Sequence, residues 1–265
     1  MNGEYNILSV LSSYRRQVSG NIAYFVRNIY PLLTMSLPLA TEPAPSKRPL
    51  ILAGILIAFS IFLLGSTVLT LLLKPVYLSD ENILLITRIF FWICLLVMVA
   101  YAVRAEKQPF LLWPEKKYPF GTFLISIIAI LSILLAAMTI LSQVEMAFGV
   151  EKKSANLNKM EVVLKRNQWL LVFTCLTAGV TEELIFRGYL IPRLQLFFKG
   201  PYPALIISSV FFGLAHIGYG SIHQVIGPVF IGFIFALYYK KYRNIKVLIL
   251  CHFLWDYLIL FAMTR

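Results

Sequence analysis

Charged residues are scarce in this sequence. They make up 14% of its 265 residues, whereas a soluble domain carries roughly a quarter. Hydrophobic residues make up 59%, which is an excess that one soluble core cannot hide. The composition therefore excludes an ordinary soluble domain and favours a membrane protein.

Cysteines and targeting signals are also sparse. Cys94, Cys175 and Cys251 all fall inside apolar runs, and such an odd, scattered set predicts neither a disulfide framework nor a zinc finger. The first residues lack a basic segment followed by an apolar one and a cleavage site, so we expect no cleaved signal peptide. The net charge of +12 is interpreted as basic loops of a membrane protein and not as a nucleic-acid surface.

Long apolar runs dominate what is present. A transmembrane helix needs about 20 mostly apolar residues to cross ~30 Å of hydrocarbon. The runs that we predict to span are residues 50–73, 83–103, 120–141, 169–190, 204–216, 225–239 and 247–263. They predict an all-α, polytopic membrane helix bundle of about seven transmembrane helices.

The spans and the polar stretches divide the chain into four predicted regions. Residues 1–49 form a basic interfacial or flexible segment, and residues 50–142 form three plain transmembrane helices. Residues 143–168 form a polar loop, and residues 169–265 form a four-helix membrane domain. Arg88, near the start of the second span, is expected to snorkel to the membrane interface.

The distribution of basic residues predicts the orientation. Alternating the spans places 15 Lys and Arg residues on one side and 7 on the other, with Arg193 counted among the 15 as a loop residue. Because cytoplasmic loops are enriched in Lys and Arg, we expect a cytoplasmic N-terminus, in the plasma membrane of a bacterium.

Acidic residues are nearly absent from the last part of the chain. After residue 168 the only acids are Glu182, Glu183 and Asp256, and each lies inside a predicted span. A charged side chain at the centre of a bilayer costs about 2.5–3.5 kcal/mol, so these acids need a functional reason. The same part holds all three histidines and 8 of the 14 glycines, and glycine lets membrane helices approach closely.

The two adjacent glutamates are expected to have different surroundings. Glu183 and Arg187 are four residues apart and face the same side of a helix, whereas Glu182 lies about 100 degrees away. Arg187 can neutralise Glu183 and leave Glu182 free. The alternative is that both acids bind Arg187 and only stabilise packing.

Two further polar groups lie in the later spans. His216, four residues after Phe212, is expected within about 3 Å of the depth of Glu182 in an antiparallel helix pair, and a carboxylate and an imidazole at one level can activate water. His252 and Asp256 share one helix face. The alternative is that these polar groups only stabilise the packing of neighbouring helices. His223 has no obvious partner and is expected at the membrane interface.

Together these residues resemble the three motifs of the CAAX prenyl protease 2 group, also called the CPBP or Abi-type family of intramembrane proteases. The resemblance covers the chain after residue 168 only. The motifs are Glu182-Glu183-x-x-Phe186-Arg187, Phe212-x-x-x-His216 and His252-x-x-x-Asp256.

The resemblance implies an endopeptidase that hydrolyses membrane-associated or lipidated peptides. Glu182 would be the general base that activates water with His216, and His252 with the residue at 256 would stabilise the oxyanion. Glu183 and Arg187 would support the base. The implied partners are membrane lipid and a peptide or protein substrate.

One position departs from the family. Asn is frequent where this chain has Asp256, and an ionised carboxylate would repel an oxyanion, so Asp256 is either protonated or orients His252. Glu182, His216, His252 and Asp256 could also form a zinc site. No HExxH motif is present, so we favour a mechanism without a metal or other cofactor, with zinc as the alternative.

Two other functions compete with proteolysis. One is a non-catalytic membrane immunity or binding protein that kept the fold, although all three motifs are intact. The other is a small transporter that couples a buried Glu–His pair to proton movement. Such transporters are typically built from inverted repeats, and none is visible in the sequence.

Overall fold

The computed structural model describes residues 47–73, 76–151, 154–200 and 202–265. Most of the predicted N-terminal segment, residues 1–49, therefore lies outside the described residues. Within the described ranges the chain is helical and contains no strand. Seven helices of this part are long and apolar enough to cross a membrane, which confirms the all-α polytopic bundle. The protein is a multi-pass integral membrane protein.

The helices carry the following names in chain order. They are α1 (Arg48–Ser60), α2 (Ser66–Leu73), α3 (Asp80–Tyr101), α4 (Phe120–Ala147), α5 (Ala155–Arg166), α6 (Gln168–Glu182), α7 (Ile191–Leu194), α8 (Tyr202–Leu214), α9 (His223–Tyr242) and α10 (Ile245–Met263). Wider π-helical turns follow α1, α3 and α6 at Ile61–Gly65, Ala102–Glu106 and Glu183–Leu190. The turn at Glu183–Leu190 joins α6 and α7 into one membrane span, Gln168–Phe197.

Polar residues fix where several helices begin. The side chains of Ser79, Ser154, Asn167 and Asn244 each accept a hydrogen bond from the backbone N–H three residues later. These caps satisfy N–H groups that the first turn of a helix leaves without a partner. Helices α3, α5, α6 and α10 therefore start at defined positions.

Close backbone contacts hold the later spans together. A Cβ on Gly179 of α6 would lie 2.9 Å from the carbonyl oxygen of Ile249 on α10, and one on Gly213 of α8 would lie 2.6 Å from that of Val225 on α9. Side chains larger than hydrogen do not fit at these contacts. The expectation that glycine permits tight packing in this part is confirmed at these two positions.

The earlier spans pack on this bundle through aromatic residues. Phe62, after α1, and Phe91 of α3 have ring centroids 5.2 Å apart, and Phe62 also meets Phe186 edge-on at 5.2 Å. Large apolar side chains such as Ile125 and Leu96 are about two-thirds exposed, at 68% and 66%. Such outward apolar residues are suited to contact with lipid.

A helix interrupts the predicted polar loop of residues 143–168. Helix α4 continues to Ala147, and α5 occupies Ala155–Arg166. Ser154 donates to the backbone carbonyl of Tyr219, and the Asn156 amide donates to that of Gly218 at 2.9 Å. Helix α5 is thus tied to the turn after α8, which carries His216.

A buried ion pair joins the end of the second span to α7. Arg193 donates from Nε and Nη2 to Glu106 Oε2 at 2.8 and 2.6 Å, and the Tyr189 hydroxyl donates to Glu106 Oε1 at 2.6 Å. The side chains of Arg193 and Glu106 are 0% exposed. Counting Arg193 as a loop charge was therefore wrong, and the cytoplasmic N-terminus stays a prediction.

Candidate active site

The first motif lies where α6 widens into a π-helical turn. Glu182 is the last residue of α6, and Glu183 opens the turn Glu183–Leu190. Arg187 Nη1 donates to Glu183 Oε1 at 2.8 Å, with both side chains at 1% exposure or less. The predicted pairing of Arg187 with Glu183, and not with Glu182, is confirmed.

Glu183 has a second partner that the sequence did not reveal. His252 Nδ1 lies 2.7 Å from the same carboxylate oxygen, Glu183 Oε1. Since a carboxylate accepts, Nδ1 carries the proton and donates. Arg187 and Glu183 therefore fix the His252 ring from one side, across 69 residues of sequence.

The other nitrogen of His252 faces two carboxylates. His252 Nε2 lies 3.5 Å from Asp256 Oδ2 and 3.9 Å from Glu182 Oε2. The distance from Nε2 to Asp256 Oδ2 is too long for a good hydrogen bond, and the Asp256 side chain is 29% exposed. The stronger constraint on the ring comes from Glu183, although Asp256 does share the predicted helix face.

Glu182 has no strong ionic contact comparable with those of Glu183, although Glu183 Oε2 also has no hydrogen-bond partner among the described residues. The Glu182 side chain is 13% exposed, and its Oε2 has no hydrogen-bond partner among the described residues. Arg187 and His252 Nδ1 both bind Glu183 instead. Glu182 therefore keeps an acceptor oxygen available for a water molecule or a substrate.

His216 also has one nitrogen available. Its Nδ1 lies 2.8 Å from the backbone carbonyl of Phe212, and because a carbonyl only accepts, Nδ1 carries the proton. Nε2 then presents its lone pair. The Phe212 ring packs edge-on between the two imidazoles, with centroids 5.0 Å from His216 and 6.0 Å from His252.

A cavity of about 460 Å³ brings the second and third motifs to Glu182. Its walls include Glu182, His216, His252 and Asp256. Glu182 and His216 also border a second cavity, of about 600 Å³. Glu182 and His216 border the same two cavities, which agrees with the expectation that they lie at one depth. A carboxylate oxygen and an imidazole lone pair that border the same cavity can together bind and deprotonate water.

Two residues have surroundings that the sequence did not predict. Arg88 does not snorkel to the interface: it is 7% exposed and borders both cavities. His223 has a partner, because its Nδ1 lies 2.7 Å from Glu145 Oε2 at the end of α4. Arg88 is a single charge inside an apolar run, which is the signal that could have marked it as functional.

The described residues do not offer a ready metal site. Zinc requires three or four N, O or S ligands at about 2.0–2.3 Å, and within the described ranges no group of three or more His, Cys, Asp or Glu residues could hold a metal ion. Glu182, His216, His252 and Asp256 as arranged therefore do not fit zinc. The mechanism without a metal stays a prediction.

Comparisons with known proteins agree with the motifs. Residues 165–258 match the family described as type II CAAX prenyl endopeptidase Rce1-like. A Bacillus subtilis (strain 168) protein named "Putative membrane peptidase YdiL" is 28% identical over 183 residues, which cover 66% of this chain and 71% of that protein. No solved structure matches the chain. The family resemblance is confirmed, and the two matches support a membrane protease.

Proposed function

We propose that this protein, with its match to the type II CAAX prenyl endopeptidases, is an intramembrane endopeptidase that works through water activated by Glu182 and His216. The observation that carries the proposal is the contrast between the two glutamates. Glu183 is held through Oε1 by Arg187 and His252, is fully buried and borders neither cavity. Glu182 borders both cavities, and its Oε2 has no hydrogen-bond partner among the described residues.

The reaction begins with a water molecule between Glu182 and His216. Glu182 takes one proton from the water, and the resulting hydroxide attacks the carbonyl carbon of the peptide bond. His216 Nε2 accepts a hydrogen bond from the water and orients it. Glu182 then gives its proton to the leaving amine, so that one water is consumed for each bond broken.

His252 faces the oxyanion that forms in this step. Because Nδ1–H donates to Glu183, Nε2 can donate to the oxyanion only when His252 is an imidazolium, and the carboxylates of Asp256 and Glu182 beside Nε2 favour that cation. Glu183 and Arg187 act as positioning residues, since they hold the Nδ1 side of the ring and direct Nε2 to the cavity. A donor fixed before the reaction stabilises developing negative charge without reorganising. Asp256, at 3.5 Å from Nε2, helps to orient the ring.

The substrates that fit this site are membrane-associated or lipidated peptides. The cavity is walled by apolar residues of membrane spans, among them Leu135, Met138, Ile231 and Ile259. An apolar peptide segment or a lipid-modified one can enter such a cavity from the bilayer. Peptide bonds within the spans of other small membrane proteins are the second group of candidates.

The proposal is tested with purified protein in detergent and a library of membrane peptides. The wild type is expected to cleave a subset of the peptides, with and without a chelator. Glu182→Gln and His216→Ala are expected to abolish cleavage, while Glu151→Gln, which changes an exposed acid outside both cavities, serves as the control. Cleavage that survives both substitutions would refute the proposed site.

Other outcomes separate the alternatives. Loss of wild-type activity on chelation and its return with zinc would replace the metal-free mechanism by a metal-dependent one. A wild type that cleaves no peptide but moves protons across vesicles would favour the transporter. Binding without either activity would favour an immunity or binding protein.

We also propose a cytoplasmic N-terminus in a bacterial plasma membrane. The three native cysteines are buried, so a single introduced cysteine reports its own accessibility. Lys117→Cys is expected to react with an impermeant thiol reagent only from the cytoplasmic side, and Lys159→Cys only from the other. The reverse pattern would invert the orientation and leave the catalytic proposal untouched.

A further inference from the structure

Arg88 of α3 is a buried cation that forms no ion pair with the residues that the structure describes. Its side chain is 7% exposed, and its Nε has no hydrogen-bond partner among the described residues. The aromatic contact that it makes is weak in geometry, with the guanidinium carbon 5.8 Å from the centre of the Phe91 ring. Burying a charge is costly unless it is paired, so an anionic ligand would relieve this site.

A second polar group points to the same ligand. Thr174 of α6 is 5% exposed, and its Oγ1 has no partner within the described ranges. Thr174 and Arg88 both border the cavity that holds Glu182 and His216. A guanidinium matches the two oxygens of a carboxylate in a planar fork, and a hydroxyl can donate one more hydrogen bond.

Helix register gives the separation between this pair and the catalytic water. Trp92 Nε1 donates to Thr177 Oγ1 at 3.0 Å, which sets α3 and α6 side by side. From that level Arg88 lies toward the start of both helices and Glu182 toward the end of α6. At about 1.5 Å per residue the two are separated by about 13 Å along the helices, which is the length of about four extended residues.

We propose that Arg88 and Thr174 bind a carboxylate of the peptide substrate, about four residues from the bond that Glu182 hydrolyses. This inference rests on the proposed function. The carboxylate is either the free end of the chain or an Asp or Glu side chain. It makes Arg88 a specificity-determining residue that lies outside the segment matching the family, residues 165–258.

A peptide fits this position better than a lipid headgroup. Arg88 lies about 12 Å along α3 from its first residue, Asp80, and a phosphate would have to leave the membrane interface to reach it. A peptide bound at Glu182 already occupies the same cavity. Its carboxylate meets Arg88 and Thr174 without any such displacement.

The binding test uses short fluorescent peptides of Ala, Leu and Phe in discs of zwitterionic lipid. The peptides are compared in pairs that differ by one charge. In one pair the C-terminus is free or amidated. In the other pairs, Glu or Gln stands four residues before or after the central bond. The host protein is Glu182→Gln, which does not turn the peptide over. A preference of roughly tenfold to a hundredfold for the carboxylate form is expected, as for a charge-assisted pair.

Substitutions then assign the preference to a residue. In the same host, Arg88→Gln is expected to bring the ratio of acid to neutral binding close to one, and Thr174→Val to lower it by a few-fold. Arg104→Gln removes an equal charge from an exposed position of the same span and is expected to leave the ratio unchanged. Should Arg88→Gln not fold, Arg88→Lys is expected to lower the ratio, since ammonium lacks the planar fork.

Which pair shows the preference identifies the source of the carboxylate. A ratio that stays at the value of the Glu182→Gln host when Arg88→Gln or Thr174→Val is added would overturn the proposal. So would loss of co-purifying phosphatidylglycerol in Arg88→Gln with no change in the ratio, because the ligand would then be a lipid. If Arg88 governs the ratio but the wild type cleaves none of the peptides, the subsite stands and the proposed proteolysis fails.

Discussion

Glu182 and Glu183 are adjacent, yet changing Glu183 to glutamine should lower the stability much more than changing Glu182. Glu183→Gln removes the charge that pairs with Arg187 at 2.8 Å, where the two side chains are 0% and 1% exposed. Breaking a buried ion pair from one side costs about 3–5 kcal/mol. At about 2–4 °C per kcal/mol for a chain of this size, the expected fall in Tm is about 6 to 20 °C.

Glu182→Gln leaves these contacts intact. Glu182 Oε2 lies 3.9 Å from His252 Nε2 and has no hydrogen-bond partner among the described residues. We therefore expect a change in stability of about 1 kcal/mol or less. Activity is expected to fall about 10² to 10⁴-fold, because the general base is lost.

A thiol-reactive dye measures the Tm of both variants, and no cysteine has to be introduced for it. Cys94, Cys175 and Cys251 are buried and free, so the dye reacts as the protein unfolds. Cleavage by the folded fraction of Glu183→Gln provides the second readout: kcat should fall while KM is kept, since His252 is no longer held toward the oxyanion. A packing role alone would lower the folded fraction and leave its kcat unchanged.

Two results would refute this reasoning. Equal losses of Tm in the two variants would mean that Glu182 carries structural contacts comparable with those of Glu183. Wild-type activity in Glu182→Gln would remove Glu182 from the role of base. A double variant with Arg187→Gln is a further check, because removing both charges should recover part of the Tm lost in Glu183→Gln.

Three other predictions follow from contacts in and around the site. His216→Gln keeps a polar side chain but loses the imidazole lone pair, and kcat should fall at least tenfold with unchanged Tm; a normal kcat in peptide assays would argue against His216. Glu106→Gln leaves the fully buried Arg193 without its counter-ion, and thermal unfolding should show a loss of about 3–5 kcal/mol; a loss below about 1 kcal/mol would contradict it. Burial raises the pKa of Glu115, in the loop before α4, above its ordinary value of 4.5. Its contribution to stability is present below that value and is lost as the pH rises through the raised pKa. The Tm of the wild type minus that of Glu115→Gln should thus fall with rising pH. A difference that grows with rising pH would contradict the prediction.

The membrane bundle and the pairing on one helix were accessible from the sequence. Seven apolar runs predicted seven spans, because length and hydropathy decide whether a helix can cross a bilayer. Glu183 and Arg187 pair as their four-residue spacing predicts. The scarcity of acids after residue 168 identified Glu182, Glu183 and Asp256 because the bilayer makes intramembrane acids costly.

Contacts between residues on different helices could be identified only from the tertiary structure. His252 binds Glu183 across 69 residues, and His223 binds Glu145 across 78. No local spacing encodes such pairs, since they depend on how each helix is rotated and shifted against its neighbour. The same holds for Arg88, whose place in the cavity wall follows from the face that α3 turns toward α6.

The sequence by itself determined the class of protein, the spans and the residues able to carry chemistry, because these depend on composition and on spacing within one helix. The tertiary structure decided how the charges are shared. Glu183 binds Arg187 and His252, and Glu182 keeps an available oxygen at the cavity. Arg88 is buried with no anion beside it in the described part of the chain. The physical reason is that a charge in a low-dielectric interior is governed by the atoms within a few ångströms of it, and those atoms come from several helices.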